Sequence, residues 1–585
     1  MTPWGRQWKF ELEINEGTEQ VENTLHGGEA ILQAFRDLKI DYVMSSPGSE
    51  WGPVWEALAR QEVEHNDGPI YLSCQHETLA VDLAIGYTMV TGRMQAVMLH
   101  AGVGPLQGAN GIHGASISET PMVIISGESL TYGERDGFNP GAQWMGSLSI
   151  PGSPRRLMEP LVKFSLQVPS PETLYETFLR TGQIAERLPK GPTYLTVPIE
   201  NMTAQWTPPD RPREVPRAPK TIPTAADVDV VAKMLVATEN PVIITDTIGR
   251  EPDGMAALVD FAECLGIPVI EGGSANYGNF PKDHKLHHGF SIDPYFDEAD
   301  LMVLVRCRMP WYPPSKFPAK ATIVSIDDNP LKDYMVYQNH KAEHFLEGDP
   351  VAALGLLVDA IGAAGVDKAK VEKRMTRAQD FHDQLTEGYR TAVAEAGATS
   401  PIHPITLFDA LGRVLPEDTI YTDETITHRG LLNRYLRWND PQKYFRVPSG
   451  LGQGLGVSLG IKLAAPTRPV VSIIGDGSFC YNPVLQALSL AKDASLPILI
   501  LIMNNGKYQA MESDHRNYYP DGVAAKHDKF YGAPLSAPEY TELGAPFGFH
   551  GRRVDDPADL EDALNESMEA VQGGTTSILN VVLSQ

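Results

Sequence analysis

Apolar and polar positions alternate along this chain in a helix-and-strand rhythm that restarts three times. Between about His26 and Pro198 the runs IDYVMSS, PIYLSC, MQAVMLH, PMVIIS and PTYLTVP are almost wholly apolar or β-branched. Stretches with helical spacing, such as GEAILQAFRDL, lie between them. Strands that are apolar on both faces suit the middle of a parallel sheet, and their alternation with helices predicts helices covering it. The stretch TAQWTPPDRPREVPRAPKTIP then breaks the rhythm with six prolines, whose fixed φ and missing amide hydrogens suit a stiff, extended connection. A second block follows with strands at PVIITD, IPVIEG, LMVLVR and TIVSID, and it ends in the charged stretch VDKAKVEKRMTRAQDFHDQL, which reads as a solvated helix. From Ser400 a third block carries TIYTDE, VVSIIGDG, PILILIMNN and ILNVVLS. The expected organisation is an extension over residues 1–25, an α/β domain over 26–200, a Pro-rich linker over 201–222, a central α/β domain over 223–365, a linker helix over 366–400 and a third α/β domain over 401–585. The fold class is therefore three consecutive doubly wound α/β domains.

Charge and cysteine usage narrow the functions this architecture could serve. The 48 Lys and Arg residues stand against 74 Asp and Glu, a formal net charge of −26. Such a surface repels phosphate backbones and anionic lipid, which argues against nucleic-acid and membrane partners. The four cysteines, Cys74, Cys264, Cys307 and Cys480, form no C-x-x-C pair and no zinc-like spacing. With an N-terminus that lacks the apolar core of a signal peptide, they predict reduced thiols in a cytoplasmic protein.

The densest chemistry lies in the third block. Gly475-Asp476-Gly477 falls at the end of one buried strand and Asn504-Asn505 at the end of the next, with 26 residues between Gly477 and Asn504. That gap accommodates a crossover helix, so both strand ends open on one edge of the sheet, where α/β folds bind ligands. An aspartate, an asparagine amide oxygen and a backbone carbonyl are hard ligands suited to Mg²⁺, whose remaining positions go to phosphate oxygens and water. The glycines let the backbone come close to phosphates. Taken singly, GDG and NN are ordinary turn sequences; their ordered strand contexts and spacing carry the argument.

This GDG-x26-NN pattern resembles the cofactor signature of the thiamine-diphosphate (ThDP) decarboxylase and acetolactate-synthase superfamily. The resemblance makes the three domains pyrimidine-binding, central and diphosphate-binding, and implies Asp476, Asn505 and the backbone carbonyl of Lys507 as Mg²⁺ ligands, with Gly475 and Gly477 beside the diphosphate. It assigns Glu77, in CQHETLAVDLAIGYTMVTGR, as the carboxylate that activates the cofactor's aminopyrimidine ring. In VPSGLGQGLGVSLGIKLA it assigns the Ser449 carbonyl as a grip on that ring and Leu451 as the apolar wedge beneath the bent cofactor. Thr425 and Thr427 in DETITHRG, and Ser478 after GDG, become diphosphate contacts. Related synthases hold FAD in the central domain and decarboxylases do not. The stretch PVIITDTIGREPDG lacks G-x-G-x-x-G, so FAD stays open and unsupported.

Within the superfamily the motifs resemble benzoylformate decarboxylase. Ser49 in SSPGSEW matches a serine that holds the substrate carboxylate. His100 in VMLHAGVG and His284 in FPKDHKLHHG match two histidines that move protons at the reacting carbon. The chain departs from that branch at Asp514, where a large aromatic is expected, in the polar stretch SDHRNYYPDG, and at Ile426 and His428 in the turn after the third block's first strand. A wetter pocket is expected. The reading is a ThDP- and Mg²⁺-dependent, non-oxidative 2-oxo acid decarboxylase, a lyase with or without joining of the product to an aldehyde. The alternatives are a synthase-like or acyloin-forming or cleaving lyase and a ThDP-binding protein without turnover. Because Glu77 and the diphosphate site lie in different blocks, the resemblance implies a homodimer or homotetramer with sites at the dimer interface.

Overall fold

The computed structural model describes residues 24–211, 213–338, 340–397, 399–536 and 538–584; most of the expected N-terminal extension lies outside the described residues. Three parallel sheets account for the three restarts of the rhythm. The first contains β1 (Tyr42–Ser45), β2 (Ile70–Ser73), β3 (Gln95–Leu99), β4 (Met122–Glu128), β5 (Phe164–Gln167) and β6 (Pro192–Pro198), in the order β2-β1-β3-β4-β6-β5. The central sheet contains β7 (Pro241–Thr245), β8 (Val269–Glu271), β9 (Leu301–Val305), β10 (Thr322–Asp327) and β11 (His344–Glu347), in the order β11-β10-β9-β7-β8. The third contains β12 (Ile420–Glu424), β13 (Tyr444–Arg446), β14 (Val470–Gly475), β15 (Leu499–Asn504), β16 (His550–Val554) and β17 (Ser577–Val582), in the order β13-β12-β14-β15-β17-β16. First and third sheets thus share one strand order, a likeness that no short sequence repeat announces.

Every sheet reverses its winding direction after its first two strands, and the first and third do so again where β6 and β17 return inside the edge strands β5 and β16. The shared reversal falls between β1 and β3 in the first sheet, between β7 and β9 in the central one and between β12 and β14 in the third. At such a point the loops leaving the two strands diverge to opposite faces and open a crevice. The loop after β1 carries Ser49, the residue after β3 is His100, and the residue after β14 is Asp476. Topology therefore places the candidate residues.

The first and third sheets are held together by two closely packed helices, Glu77–Thr91 and Gly454–Ala464. A Cβ on Gly86 would lie 2.1 Å from the Val457 carbonyl oxygen, and one on Gly460 would lie 2.1 Å from that of Leu83. Only glycine lets these backbones approach. The contact is sealed by a buried polar bond, Gln453 Nε2 donating to Asp82 Oδ1 at 2.7 Å. Side chains of both sheets and both helices form one continuous apolar cluster, whereas the central sheet has its own cores. Residues 207–224, apart from 212, carry neither helix nor strand. The Lys368–Ala396 helix buries only Ala378 and His382, as its charge pattern predicts.

Gly460→Ala is expected to lower the urea midpoint by the equivalent of about 1–3 kcal/mol, because the added methyl group meets backbone that cannot move away. Gly355→Ala, at a helix position where an added Cβ meets nothing within 4 Å, should leave the midpoint unchanged or raise it by up to ~1 kcal/mol. Equal midpoints for the two variants would show that the close helix approach is dispensable.

Candidate active site at the strand ends

The crevice of the first sheet brings the loop that carries Ser49 against the strand end that carries His100. The loop after β1 turns through Gly48 into the short helical turn Ser49–Trp51, and Trp51 Nε1 donates to the Leu99 carbonyl at 2.9 Å. This ties the turn to the end of β3. The buried Glu50 carboxylate accepts from the Ala101 amide at 2.6 Å, and its Oε1 and Oε2 lie 3.0 and 2.9 Å from His100 Nδ1. Ser49 Oγ accepts a hydrogen bond from Gln143 Nε2 at 3.2 Å, which leaves the hydroxyl hydrogen to donate elsewhere. The bond to Glu50 raises the His100 pKa against the opposing effect of burial, with a smaller contribution from Glu77. Glu77 itself opens its helix at the end of the β2 loop, where His76 Nδ1 accepts from the Thr78 amide, and it is buried.

His284 is placed in other company. Its Nδ1 accepts from the Leu286 amide at 3.1 Å, its Nε2 lies 3.2 Å from Glu263 Oε1, and its ring packs edge-on against Phe280. All of these partners belong to the central block, and burial lowers the His284 pKa.

At the third sheet Asp476 begins a short helix directly after β14, and the turn after β15 folds onto it. Asp476 Oδ1 accepts the Gly477 amide at 2.8 Å and Oδ2 the Gly506 amide at 2.7 Å. Asn505 Oδ1 accepts the Lys507 amide at 3.2 Å, and its Nδ2 donates to Gln509. Gly506 takes a φ of +72°, which glycine adopts without strain. A Cβ on Gly477 would lie 2.6 Å from the Tyr508 ring, so this glycine admits the aromatic side chain. Burial raises the Asp476 pKa against the pull of those amides, and among the described residues no cation forms an ion pair with it. A buried carboxylate without a cationic neighbour fits a divalent metal ion. Among the described residues no three His, Cys, Asp or Glu side chains cluster as a metal site. A cation here would therefore complete its shell with amide, carbonyl, water and phosphate oxygens, which is the Mg²⁺ preference.

The glycine-rich loop is held by a residue that motif reading passes over. Glu424, the last residue of β12, accepts the amides of Gly452 and Gln453 at 2.7 and 2.9 Å and the Asn482 side chain at 2.8 Å. Burial pushes its pKa up to about 7 despite those donors. A Cβ on Gly454 would lie 2.6 Å from Glu424 Oε2. Asn482 also donates to the Ser478 carbonyl and accepts the Leu455 amide, linking the loop to the helix that begins at Asp476. The Ser449 amide donates to Gln453, and the Leu451 carbonyl accepts from Asn110 of the first block. Thr425 is buried with its hydroxyl donating to Asp423 Oδ1 at 2.7 Å, whereas Thr427 is exposed beside His428. Asp514 lies exposed on the Gln509–Tyr518 helix, which buries no residue.

Three family models match the chain in this order: the thiamine pyrophosphate enzyme N-terminal binding domain over residues 25–145, the central domain over 228–357 and the C-terminal binding domain over 426–581. The chain is 24% identical over 579 residues to the acetolactate synthase isozyme 3 large subunit of Escherichia coli, covering 96% of this chain and 95% of that protein. It is 28% identical over 459 residues to benzoylformate decarboxylase of Pseudomonas aeruginosa, covering 75% and 80%. Its fold superposes on a thiamine diphosphate-dependent 4-hydroxybenzoylformate decarboxylase of Rhodococcus jostii with a TM-score of 0.78 at 21% identity, over 96% of this chain and 99% of that one. With all three domain models matched in sequence order over a shared three-sheet fold, the chain belongs to the thiamine pyrophosphate enzyme family.

Proposed function

We propose that this protein is a ThDP- and Mg²⁺-dependent, non-oxidative decarboxylase of a 2-oxo acid, able to pass its product to an aldehyde acceptor as well as to a proton. The observation that carries this reading is the placement of Ser49, in the loop after β1, and His100, directly after β3, at one strand-end crevice, with Glu77 acting on the imidazole. Two donors there suit a substrate carboxylate, and one of them can also deliver a proton. When bound, ThDP supplies the carbon nucleophile and the cationic ring that accepts the electron pair released as CO₂ departs. Asp476, Asn505 and the Lys507 carbonyl would hold Mg²⁺ against the diphosphate, with Gly475, Gly477 and Ser478 lining it. The Ser449 carbonyl and Leu451 would seat the aminopyrimidine, and Glu77 would hold a proton on it. Once CO₂ has left, the protonated His100 would give a proton to the carbon that bore it, which the electron pair held by the ring then binds, and the imidazole would regain a proton from water. Thr425, whose hydroxyl is committed to Asp423, offers the diphosphate less than Ser478 does.

The central sheet supports a reading without flavin. Its crevice between β7 and β9 receives Glu119 from the first block, whose carboxylate accepts from Arg250 Nη1 at 2.8 Å and from Lys332 Nζ at 3.0 Å, with Arg306 Nη1 3.8 Å away. Although burial opposes it, Lys332, Arg250 and Arg306 hold that carboxyl well below the usual carboxylate range. The cavity beside Glu119, Arg250 and Lys332 is about 10 Å³, room for one water molecule at most, while a cavity of about 830 Å³ opens on the far side of Arg306, toward residues 213–220. The small cavity weighs against a flavin phosphate at the Glu119 side of the crevice.

Exposed apolar side chains support a shared site. After the strands of the first crevice come Leu106, Leu130 and Met145, and after those of the third come Tyr481, Leu485 and Met511, all exposed. Apolar rims on two complementary half-sites suit a two-fold assembly in which each half covers the other's counterpart. Among the described residues no helix is long and apolar enough to cross a membrane, so these rims are read as protein contacts.

The test is incubation with ThDP, Mg²⁺ and a panel of 2-oxo acids, following CO₂ and ligated products; absence of CO₂ from every acid would sink the decarboxylase reading. Glu77→Gln should bind ThDP normally while turnover falls at least about tenfold; full turnover would remove Glu77 from its role. Asp476→Ala should weaken ThDP affinity at least about tenfold in a calorimetric titration with Mg²⁺ present. Unchanged affinity would make GDG a mere turn. Mixing the Glu77→Gln and Asp476→Ala proteins under reversible dissociation should restore activity, since each heterodimer then holds one intact site. Subunit exchange without recovered activity would exclude a site shared between chains.

A further inference from the structure

We propose that Glu50 is the positioning residue of the first crevice: its carboxylate fixes the orientation of the His100 ring and keeps a proton on it, so that the imidazole meets the substrate through Nε2. This rests on the reading of His100 as the group that faces the substrate, and it adds a residue that neither the sequence motifs nor the resemblance assigns.

The crevice is built around this pair. Both Glu50 oxygens lie within 3.0 Å of His100 Nδ1, and Oε1 also accepts the Ala101 amide at 2.6 Å. The carboxylate is therefore anchored by the backbone that follows its partner. The Glu50 side chain is 2% exposed and that of His100 22%, so the acid is sealed away while the imidazole reaches the open side. Two glycines clear the space. A Cβ on Gly48 would lie 2.1 Å from His100 Nδ1 and 2.4 Å from Glu50 Oε2, and a Cβ on Gly127, in β4, would lie 2.4 Å from Glu50 Cγ. Behind the pair, Ala101 packs with Trp144 and Leu148, and Gly102 at a φ of +65° turns the chain beneath the Leu148 carbonyl. The ring has little freedom to swing away from the carboxylate.

The geometry determines the tautomer. A carboxylate only accepts, so Nδ1 must carry a hydrogen, and Nε2 is the nitrogen left for the substrate. A buried acid that orients an imidazole and stabilises its protonated form is the same physical device that positions the histidine of a hydrolytic triad. Other charges do not oppose it. From the Glu77–Thr91 helix the group acting on His100 is Glu77, which also favours the imidazolium. The covering loop presents neutral groups, Gln143 to Ser49 Oγ and Trp144 to Ala101. At the end of β4, Glu128 accepts from Ser129, and Glu200 accepts from Ser129, Leu130 and Thr131.

Glu50→Gln separates positioning from mere support. Its amide oxygen can still accept the Ala101 amide, but its NH₂ group now faces Nδ1, so that nitrogen must become an acceptor and the imidazolium is disfavoured. The raised His100 pKa makes the protonated form the one present below it, with loss of that form as pH rises. Removing the carboxylate should therefore move the alkaline limb of kcat/KM to lower pH and cost at least about tenfold on the alkaline side, with ThDP affinity unchanged. Glu50→Asp should recover part of the loss and part of the limb. NMR titration of ¹³C-histidine-labelled protein, with the His100 signal identified by its absence in His100→Ala, reads the proton directly and requires no turnover. Its midpoint should fall in Glu50→Gln. An unmoved midpoint overturns the proposal even if the enzyme decarboxylates 2-oxo acids. A moved midpoint in a protein that turns over no 2-oxo acid leaves Glu50 in place and removes only the functional reading on which it was set.

Discussion

The close approach of the Glu77–Thr91 and Gly454–Ala464 helices is the constraint on which the rest of this structure depends. Gly86, Gly456 and Gly460 let backbone meet backbone, and added Cβ atoms there would overlap Val457, Asp82 and Leu83. The same helices begin at Glu77 and just after the Leu451 loop. Packing that joins the two outer sheets therefore also fixes where Glu77 and the glycine-rich loop stand relative to each other within the chain. The buried Gln453 shows this coupling at one residue: its Nε2 donates to Asp82 in the first block while its Oε1 accepts the Ser449 amide in the third. A shift of either helix would strain a buried polar bond in the loop assigned to the aminopyrimidine, and a buried polar group left without its partner costs about 1–3 kcal/mol.

The two open edges share a second property, buried acid without matching cations. Among the described residues, amides donate to both Asp476 and Glu424 in the third crevice, and burial raises both their pKa values. Such arrangements are costly in an empty pocket and become favourable when a cation arrives. A divalent metal ion and a cationic thiazolium ring would bring that compensation. The first crevice supplies a partner internally, since the Glu50 carboxylate has the His100 imidazole beside it and favours its protonated form. In this reading one edge is preorganised for cations that come from outside, and the other favours a proton on its own base.

How much of this was legible depends on where in a sheet each residue sits. Strands in sheet interiors are apolar on both faces, and those of all three sheets are readable as continuous runs. The strands that escape sequence reading are Phe164–Gln167, His344–Glu347, Tyr444–Arg446 and His550–Val554, and each is an outer strand of its sheet. Half-exposed strands mix polar and apolar residues without a long run, as the alternating burial of His550–Val554 shows. Among candidate residues, Glu77, Asp476, Asn505 and Ser49 are proposed because a motif carries each of them. Glu50 stands directly after Ser49, yet an acid in a first helical turn has an ordinary explanation in the helix dipole. Only the meeting of the β1 and β3 loops reveals His100 as its partner. Glu424 was hidden similarly, because its partners Gly452 and Asn482 lie 28 and 58 residues away.

The central sheet shows that a shared topology does not oblige a shared use. It has the same kind of winding reversal as its neighbours, and by geometry alone its crevice is as good a ligand site as theirs. What differs is the company at the strand ends. Arg250, Arg306 and Lys332 would suit a phosphate group, but Glu119 reaches across from the first block and takes that place. An anionic ligand would have to displace a carboxylate held by three cations, leaving that carboxylate buried and unpaired. The interaction that closes this crevice therefore also docks the central block onto the first. The same contact that removes a ligand site makes the middle of the chain a scaffold holding the two working edges in register.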